Sequence, residues 1–430
     1  MGLNRREFWQ LMAVLLIGLI VRIGLAVGVE EVLKKQPDRM FLIPGDAEGY
    51  WDLAGDLLKG DRYEIYGRHV LRMPGFPAVV ALGRSLGHDS RLGVRMILAV
   101  VAVLGIGGVY VLGLQLYGHR VGLLAAAFIS LSPLLAGFGI LILSEGAFAT
   151  TLVWALVALA EWMHQLKRSA TWPRLLISAM NAGLLAALAI SMRPTWFACA
   201  GLLPGLLVVW WVFTEQEDRW RRLTAGVASA TVIGATILII LLPWAVRNQL
   251  VAGKFTFTTL WVGASLYDGL HPGATGDSDM TFFETDGLAG RLSEAEVDAE
   301  YRRRAWSFVA ANPWRTLELA WVKQSRYWNI VPNYPEFRRW WILLPAGLST
   351  LLLYCGTLLE LWFRPRNVLA LLLCLVPILA FALIHLLFVG SMRYRMPAEF
   401  PLAVIAASGW LQLYSRFNAQ RAIAREGTPC

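Results

Sequence analysis

Long apolar runs alternate with short polar stretches along most of this chain of 430 residues. A helix of about 20 apolar residues is long enough to cross a bilayer. The pattern predicts about ten spans, within a range of about 8 to 12, at 8–28, 92–117, 121–141, 145–163, 175–191, 194–213, 223–244, 340–362, 367–389 and 398–414. The predicted fold class is therefore an all-α polytopic membrane protein.

Two long polar segments interrupt the spans, at 29–91 and 246–339, and each is predicted to carry helices that lie at the membrane surface. In the first segment, Asp46 is predicted to cap a helix that ends at Gly60, with Tyr50 and Leu53 on its apolar face.

The apolar stretch 74–86 is predicted to be interfacial or re-entrant, since about 13 residues are too few to span comfortably. Whether it spans stays open, and a span here would invert the topology of everything that follows.

The second polar segment predicts two amphipathic helices. Ser293 and Glu296 form a capping box that opens the first helix, and Asn312-Pro313 opens the second. The tryptophans on the second helix are typical of a membrane interface.

The chain thus divides into an amino-terminal transmembrane module, 1–245, whose first external loop is 29–91, an external loop, 246–339, and carboxy-terminal spans with a short basic tail, 340–430. With the amino terminus inside, every cytoplasmic stretch is basic, as the positive-inside rule expects. The basic residues are Arg5, Arg6, Arg120, Lys167, Arg168, Arg174, Arg219, Arg221, Arg222, Arg364, Arg366, Arg416, Arg421 and Arg425. This predicts a multi-pass plasma (inner) membrane protein with both termini cytoplasmic.

Composition supports this class, because 57% of the residues are hydrophobic and only 16% are charged. The net charge of +9 is accounted for by membrane orientation and does not call for nucleic acid as a partner. The four cysteines form no C-x-x-C pair and none falls in an external loop, so neither disulfides nor cysteine metal sites are expected.

Polar clusters fall where predicted spans meet the external side. Asp46 has two interpretations that can coexist, a helix cap and a general base or metal-held carboxylate acting on an acceptor hydroxyl. Glu48 points away from Asp46 on a regular helix, so it is interpreted either as a supporting acid or as a solvated first-turn residue. Glu145 is either a cap-like acid or an arginine partner.

Four arginines are candidates for binding phosphate, because guanidinium binds phosphate oxygens in pairs and stays charged in a partly dry site. They are Arg72, Arg247, Arg393 and Arg395, and one of the last two is expected only to contact lipid headgroups; Arg193, Asn248 and Tyr394 are the supporting residues. The alternative for each arginine is contact with lipid headgroups.

Several short motifs, in order, resemble those of GT-C fold glycosyltransferases. They are an early external Asp46 followed by Tyr50 and Ala54, Arg72-x-Pro74-x-x-Pro77, Ser144-Glu145 after Ser132-Pro133, Arg193-Pro194, Pro243-Trp244-x-x-Arg247-Asn248 and Arg393-Tyr394-Arg395-x-Pro397. The chain most resembles bacterial relatives of the protein O-mannosyltransferases and of the lipid A aminoarabinose transferase. It departs from the former in having Ala47 between its two acids.

The resemblance implies transfer of a sugar from a polyprenyl-phosphate donor to an acceptor hydroxyl of a protein, lipid or glycan on the external or periplasmic face, usually with inversion. Asp46 would be the base, and the arginines would hold the leaving phosphate. No cofactor is certain; some relatives use a divalent metal, for which this sequence offers no ligand set. A transporter or lipid flippase is the alternative from another class, and a glycan polymerase or ligase is a third.

Overall fold

The computed structural model describes residues 3–214, 218–332, 337, 339–363 and 367–426, with side chains to 421. Arg364, Arg366 and the side chain of Arg425, which belong to the predicted cytoplasmic basic residues, lie outside this description. Across the described residues the chain is helical, and the only β-type pairing there is a single bridge between Ile65 and Arg68.

The helices follow one another in the order expected of a polytopic bundle. They are α1 (Arg5–Lys34), α2 (Asp46–Lys59), α3 (Gly75–Leu86), α4 (Arg91–Tyr117), α5 (His119–Leu131), α6 (Pro133–Phe138), α7 (Ser144–Lys167), α8 (Trp172–Met192), α9 (Trp196–Thr214), α10 (Arg219–Ala252), α11 (Val262–Gly269), α12 (Thr281–Thr285), α13 (Glu294–Ala311), α14 (Pro313–Tyr327), α15 (Trp340–Trp362), α16 (Val368–Ile384) and α17 (Met396–Glu426). Short 3₁₀ turns lie at Leu288–Gly290 and Met392–Tyr394.

Seven of these helices are long and apolar enough to cross a membrane, namely α1, α4, α7, α8, α9, α10 and α15. Helices α5 and α16 are apolar but shorter, with 13 and 17 residues. The all-helical polytopic class is confirmed, whereas the count of ten spans stays a prediction. α3 has 12 residues, fewer than a spanning helix needs.

The predicted span 121–141 is not one continuous helix. Helix α5 ends at Leu131, Ser132 is extended, and α6 restarts at Pro133. Proline has no N–H to donate to the carbonyl four residues earlier, so Ile129 loses its usual partner at this point.

A buried arginine from α1 takes over the carbonyls that this break leaves open. Arg22 donates from Nη2 to the Ile129 carbonyl at 3.1 Å and from Nη1 to Ser130 at 3.4 Å and Gly18 at 3.1 Å. Its side chain is fully buried. Arg22 therefore joins α1 to the interrupted helix, and it explains how a span can contain this charge.

The core is centred on α7, which is buried along most of its length and packs against α4, α8 and α17. Because α7 begins at Ser144, its first turn lies at the same end of the bundle as the carboxyl end of α8 and the 3₁₀ turn before α17. Polar residues at these helix ends are thus brought together.

The helices of the two long polar segments match most of the local predictions. Ser293 and Glu296 form the capping box of α13, Pro313 is the first residue of α14, and Gly60 ends α2 in the left-handed conformation, with φ 71°. One prediction was off by a residue: the N-cap of α2 is Gly45, so Asp46 lies in the first turn and its carboxylate does not cap the helix.

Candidate active site

Asp46 lies between two arginines from distant parts of the chain. Its Oδ1 accepts a hydrogen bond from Arg72 Nη2 at 2.6 Å, and its Oδ2 accepts one from Arg393 Nη2 at 2.5 Å. Asp46 is the first residue of α2, and its carboxylate is free to bind the arginines because it does not cap the helix. The positive end of the helix dipole also favours a carboxylate at this position. Both oxygens of the predicted base are therefore engaged.

Glu145 forms the second acidic centre, in the first turn of α7. It is 1% exposed and contacts Arg193 Nη1 at 2.9 Å and Arg393 Nε through its Oε1. Its Oε2 is buried and accepts no hydrogen bond from the described residues. Glu145 is thus an arginine partner, one of its two predicted alternatives.

Arg393 connects the two acids, since Nε faces Glu145 and Nη2 faces Asp46. It belongs to the 3₁₀ turn Met392–Tyr394, which Ser391 caps. We call the five residues Asp46, Arg72, Glu145, Arg193 and Arg393 the charge cluster. Three guanidinium groups and two carboxylates leave a formal surplus of one positive charge, which suits an anionic ligand.

Aromatic rings line the charge cluster. Tyr394 stacks on His385 with centroids 4.5 Å apart, and the guanidinium of Arg193 lies 5.2 Å from the Tyr394 ring. On the other side, the Arg72 guanidinium lies 5.7 Å from Tyr50, whose hydroxyl donates to Ser144 Oγ at 3.2 Å. These contacts restrict the arginine side chains to the geometry seen here.

Cavities adjoin the charge cluster on two sides. The first, of about 220 Å³, is lined by Phe148, Arg193, Thr195, Phe381, His385 and Tyr394. The second, of about 200 Å³, is lined by Phe41, Leu42, Ile43, Ala47, Arg95, Leu141, Ile142 and Leu143. Both volumes include space open to solvent; Arg193 of the charge cluster lines the first cavity, and Ala47, the chain neighbour of Asp46, lines the second.

Electrostatics keep Asp46 ionised. Burial acts to raise the pKa of Asp46, but the guanidinium groups of Arg393 and Arg72 outweigh it and hold that pKa well below its usual range. For Arg72, burial lowers the pKa and the carboxylate of Asp46 more than offsets this, so the pKa is raised. The pair is therefore fully charged near neutral pH.

Arg247 and Asn248 lie outside the charge cluster. Arg247 donates to the Tyr63 carbonyl at 2.8 Å and to the His69 carbonyl at 2.7 Å. Asn248 donates to the carbonyl of Thr256 at 2.9 Å and accepts from Arg247 at 3.4 Å. The structure therefore does not bring Arg247 to Asp46, and its donors are occupied by backbone carbonyls.

Arg395 also lies apart from Asp46, although it is only two residues from Arg393. It is completely buried, pairs with Glu399 at 2.6 Å and donates to the Tyr327 carbonyl at 2.5 Å. The turn directs the two arginines to different surroundings, so Arg395 ties α17 to the end of α14 and has no contact with the charge cluster.

Glu48 does not join the acids of the charge cluster either. Its carboxylate accepts from the backbone N–H of Gly45 at 3.4 Å, as a first-turn acid does. The sequence analysis missed two further residues, His385 and Glu294. His385 could have been noticed as an ionisable residue at the end of an apolar run. Glu294 gave no signal, because it looks like an ordinary acid on the exposed side of a helix.

The residues present do not fit a divalent metal. No group of three or more His, Cys, Asp or Glu side chains suited to a metal occurs among the residues that the structure describes. Both carboxylates of the charge cluster face guanidinium groups, and a dication placed between them would be repelled by three positive charges.

Comparison with known proteins shows the fold. No protein-family model and no curated protein matches the chain. One similar solved structure is the oligosaccharyltransferase AglB of Archaeoglobus fulgidus in complex with an inhibitory peptide and a dolichol-phosphate. The match covers 99% of this chain and 53% of the AglB chain, with 14% identity and a TM-score of 0.56. An Archaeoglobus fulgidus oligosaccharyltransferase in the apo form matches over 97% of this chain and 52% of its own chain, with 14% identity and a TM-score of 0.59.

Another similar solved structure is ArnT of Cupriavidus metallidurans bound to undecaprenyl phosphate. The match covers 96% of this chain and 62% of the ArnT chain, with 16% identity and a TM-score of 0.57. The chain therefore spans between half and two thirds of the length of these structures. It has the GT-C fold of membrane glycosyltransferases, as the resemblance in the sequence implied. It is a multi-pass membrane protein.

Proposed function

We propose that this protein is an integral membrane glycosyltransferase that moves a sugar from a polyprenyl-phosphate donor to an acceptor hydroxyl at the external face of the membrane. The observation that carries the proposal is the charge cluster, in which the ionised Asp46 is held between Arg72 and Arg393, with Arg193 beside them on Glu145. Such a set can bind an anionic leaving group and take a proton at the same place.

The fold supports the choice of donor. AglB was solved with a dolichol-phosphate and ArnT with undecaprenyl phosphate. A phosphate carried on a lipid needs cationic partners at the membrane surface, and the charge cluster has one surplus positive charge for it.

The reaction is a substitution at the anomeric carbon of the sugar. The acceptor hydroxyl oxygen forms a bond to that carbon while the carbon–oxygen bond to the phosphate breaks, and the phosphate leaves with the electron pair. The hydroxyl proton passes to Asp46. Attack opposite to the leaving group inverts the anomeric centre.

The arginines of the charge cluster have the stabilising role. Negative charge grows on the phosphate as the bond to the sugar breaks, and guanidinium groups fixed in advance stabilise that charge without reorganising. Arg72 and Arg393 are best placed, with Arg193 beside them. Arg247 and Arg395 donate elsewhere, so we assign them no direct contact with phosphate.

Binding of the donor also prepares the base. Both oxygens of Asp46 are occupied by arginines, which makes it a weak base in this state. A donor phosphate competes for the same guanidinium groups, and a group that turns to the phosphate releases one Asp46 oxygen for the acceptor hydroxyl.

The membrane side follows from charge. Two residues of the charge cluster, Glu145 at the start of α7 and Arg193 at the end of α8, lie at the helix ends opposite to the basic Lys167, Arg168 and Arg174. Since basic loops are retained in the cytoplasm, the charge cluster belongs on the external face, with both termini cytoplasmic in the inner membrane.

The test compares glycolipid and glycoprotein masses in cells that lack the protein and in cells given the parent or a variant. The parent should restore a mass increment equal to one sugar, and Asp46→Asn should not. Asp52→Asn is the matched control, because Asp52 is exposed on the same helix. Lipid movement without any change in glycan mass would identify a transporter or flippase and overturn the proposal.

A further inference from the structure

The segment that carries Arg72 is held by two oppositely charged side chains from the second external segment. Arg247 comes from the last turns of α10, and Glu294 is the first residue of α13. Both act on the backbone of His69 and Val70, which lies two residues before Arg72.

The two charges hold opposite sides of one peptide group. The His69 carbonyl accepts from Arg247 Nη1 at 2.7 Å, and the Val70 N–H of the same peptide bond donates to Glu294 Oε2 at 3.0 Å. Glu294 Oε1 also accepts the His69 N–H. We call this arrangement the backbone clamp. Hydrogen bonds to charged groups are the stronger kind, so the clamp fixes both position and orientation of the peptide.

Neighbouring contacts extend this hold towards Arg72. Arg247 also donates to the Tyr63 carbonyl, and the Tyr63 hydroxyl donates to the carbonyls of Arg72 at 3.3 Å and Met73 at 3.1 Å. The Leu260 N–H donates to the Val70 carbonyl at 2.9 Å. Backbone groups before and after the Arg72 side chain are therefore fixed by residues that are not themselves members of the charge cluster.

Arg247 itself is fixed by rings. Its guanidinium lies 4.8 Å from the Trp244 ring and 5.3 Å from the Tyr63 ring. Two backbone carbonyls, the Asn248 side chain and two rings surround the guanidinium, which is the arrangement of a positioning side chain.

We infer that Arg247 and Glu294 are positioning residues that set the place of Arg72 beside Asp46, so that the second external segment controls donor binding through the backbone clamp. This rests on the proposed function for the donor, but the clamp itself is a property of the ligand-free protein.

The first experiment measures hydrogen–deuterium exchange of the segment 61–75 in the full chain, in lipid nanodiscs without added ligand. Glu294→Gln and Arg247→Ala should each speed exchange of the His69 and Val70 amides at least about tenfold, the scale for loss of a charge-assisted hydrogen bond. Glu284→Gln and Lys254→Ala, which change exposed residues of the same polar segment, should leave the exchange rates unchanged.

The second experiment measures binding of undecaprenyl phosphate to the same nanodiscs. Glu294→Gln and Arg247→Ala should each weaken binding about tenfold. Arg247→Lys keeps the positive charge but cannot donate to both carbonyls at once, so its affinity should lie between those of the parent and Arg247→Ala. Combined with Arg72→Ala, the clamp variants should add less than about twofold, because a residue that acts through Arg72 has nothing left to position.

The results separate the alternatives. Losses from Arg247→Ala and Arg72→Ala that multiply would show that Arg247 contacts phosphate directly and overturn the inference, as would unchanged exchange in both clamp variants. Faster exchange in a protein that binds no undecaprenyl phosphate would support the clamp and count against the proposed donor.

Discussion

Removing Arg393 should damage stability and activity by separable routes. Glu145 is 1% exposed and pairs with Arg193 and Arg393, and Arg393→Ala removes the second of these partners. Removing one partner of a buried ion pair costs about 3–5 kcal/mol, because the remaining charge is buried without compensation. Arg193 still contacts Glu145, so we expect the lower end, about 3 kcal/mol.

The double variant Arg393→Ala/Glu145→Gln tests this cause. It removes the stranded carboxylate, and it should recover at least about 1 kcal/mol of the lost stability. Activity should not recover, because Asp46 still lacks the guanidinium that faces its Oδ2.

Unfolding in mixed detergent micelles with increasing dodecyl sulfate, followed by tryptophan fluorescence, measures the free energies. Arg303→Ala is the matched control, since Arg303 is 67% exposed and its pair with Glu300 is a surface pair; its stability should stay close to that of the parent. An Arg393→Ala protein as stable as the parent, or a double variant no more stable than the single one, would refute the reasoning.

Further outcomes concern the base and a buried arginine. Asp46→Asn should keep the fold and lower sugar transfer at least about 100-fold, measured as single-turnover transfer, with Asp52→Asn unchanged. Because the pKa of Asp46 is depressed, its contribution to stability is complete above the unfolded pKa of about 3.9 and is lost only as the pH falls through the folded pKa. Infrared spectroscopy of the ligand-free protein should therefore show no titration of Asp46 between about pH 5 and pH 8. A titration midpoint near about pH 6 would contradict this. Arg395→Ala should lose about 3 kcal/mol or more by breaking its buried pair with Glu399, yet the folded fraction should bind undecaprenyl phosphate with the affinity of the parent.

The membrane architecture could be predicted because long apolar runs have few alternatives. A helix of about 20 such residues has only the bilayer or a large core to enter. The sequence also contains a signal for the break at Ser132-Pro133, since proline disrupts the helix that precedes it. The apolar pattern continues past this proline to 141, however, and favoured a single span.

The charge cluster could be predicted only in part. All five residues of the charge cluster lie at or near helix ends on one side of the bundle. The alternation of spans was therefore enough to predict that they lie on the same side.

The sequence could not separate Arg393 from Arg395. Which of two arginines in one turn faces an acid depends on a few backbone angles. The partners of Arg247 are backbone groups, and these leave no signature in residue types.

The arginine in α1 has a consequence for biogenesis. The carbonyl groups that receive Arg22 lie 107 and 108 positions further along the chain, so they have not yet been synthesised when α1 reaches the translocon. A guanidinium without these two carbonyls is disfavoured in hydrocarbon, so we expect α1 to reach its final position only after α5 has been synthesised and packs against it. Truncation before residue 131 should therefore impair the insertion of α1.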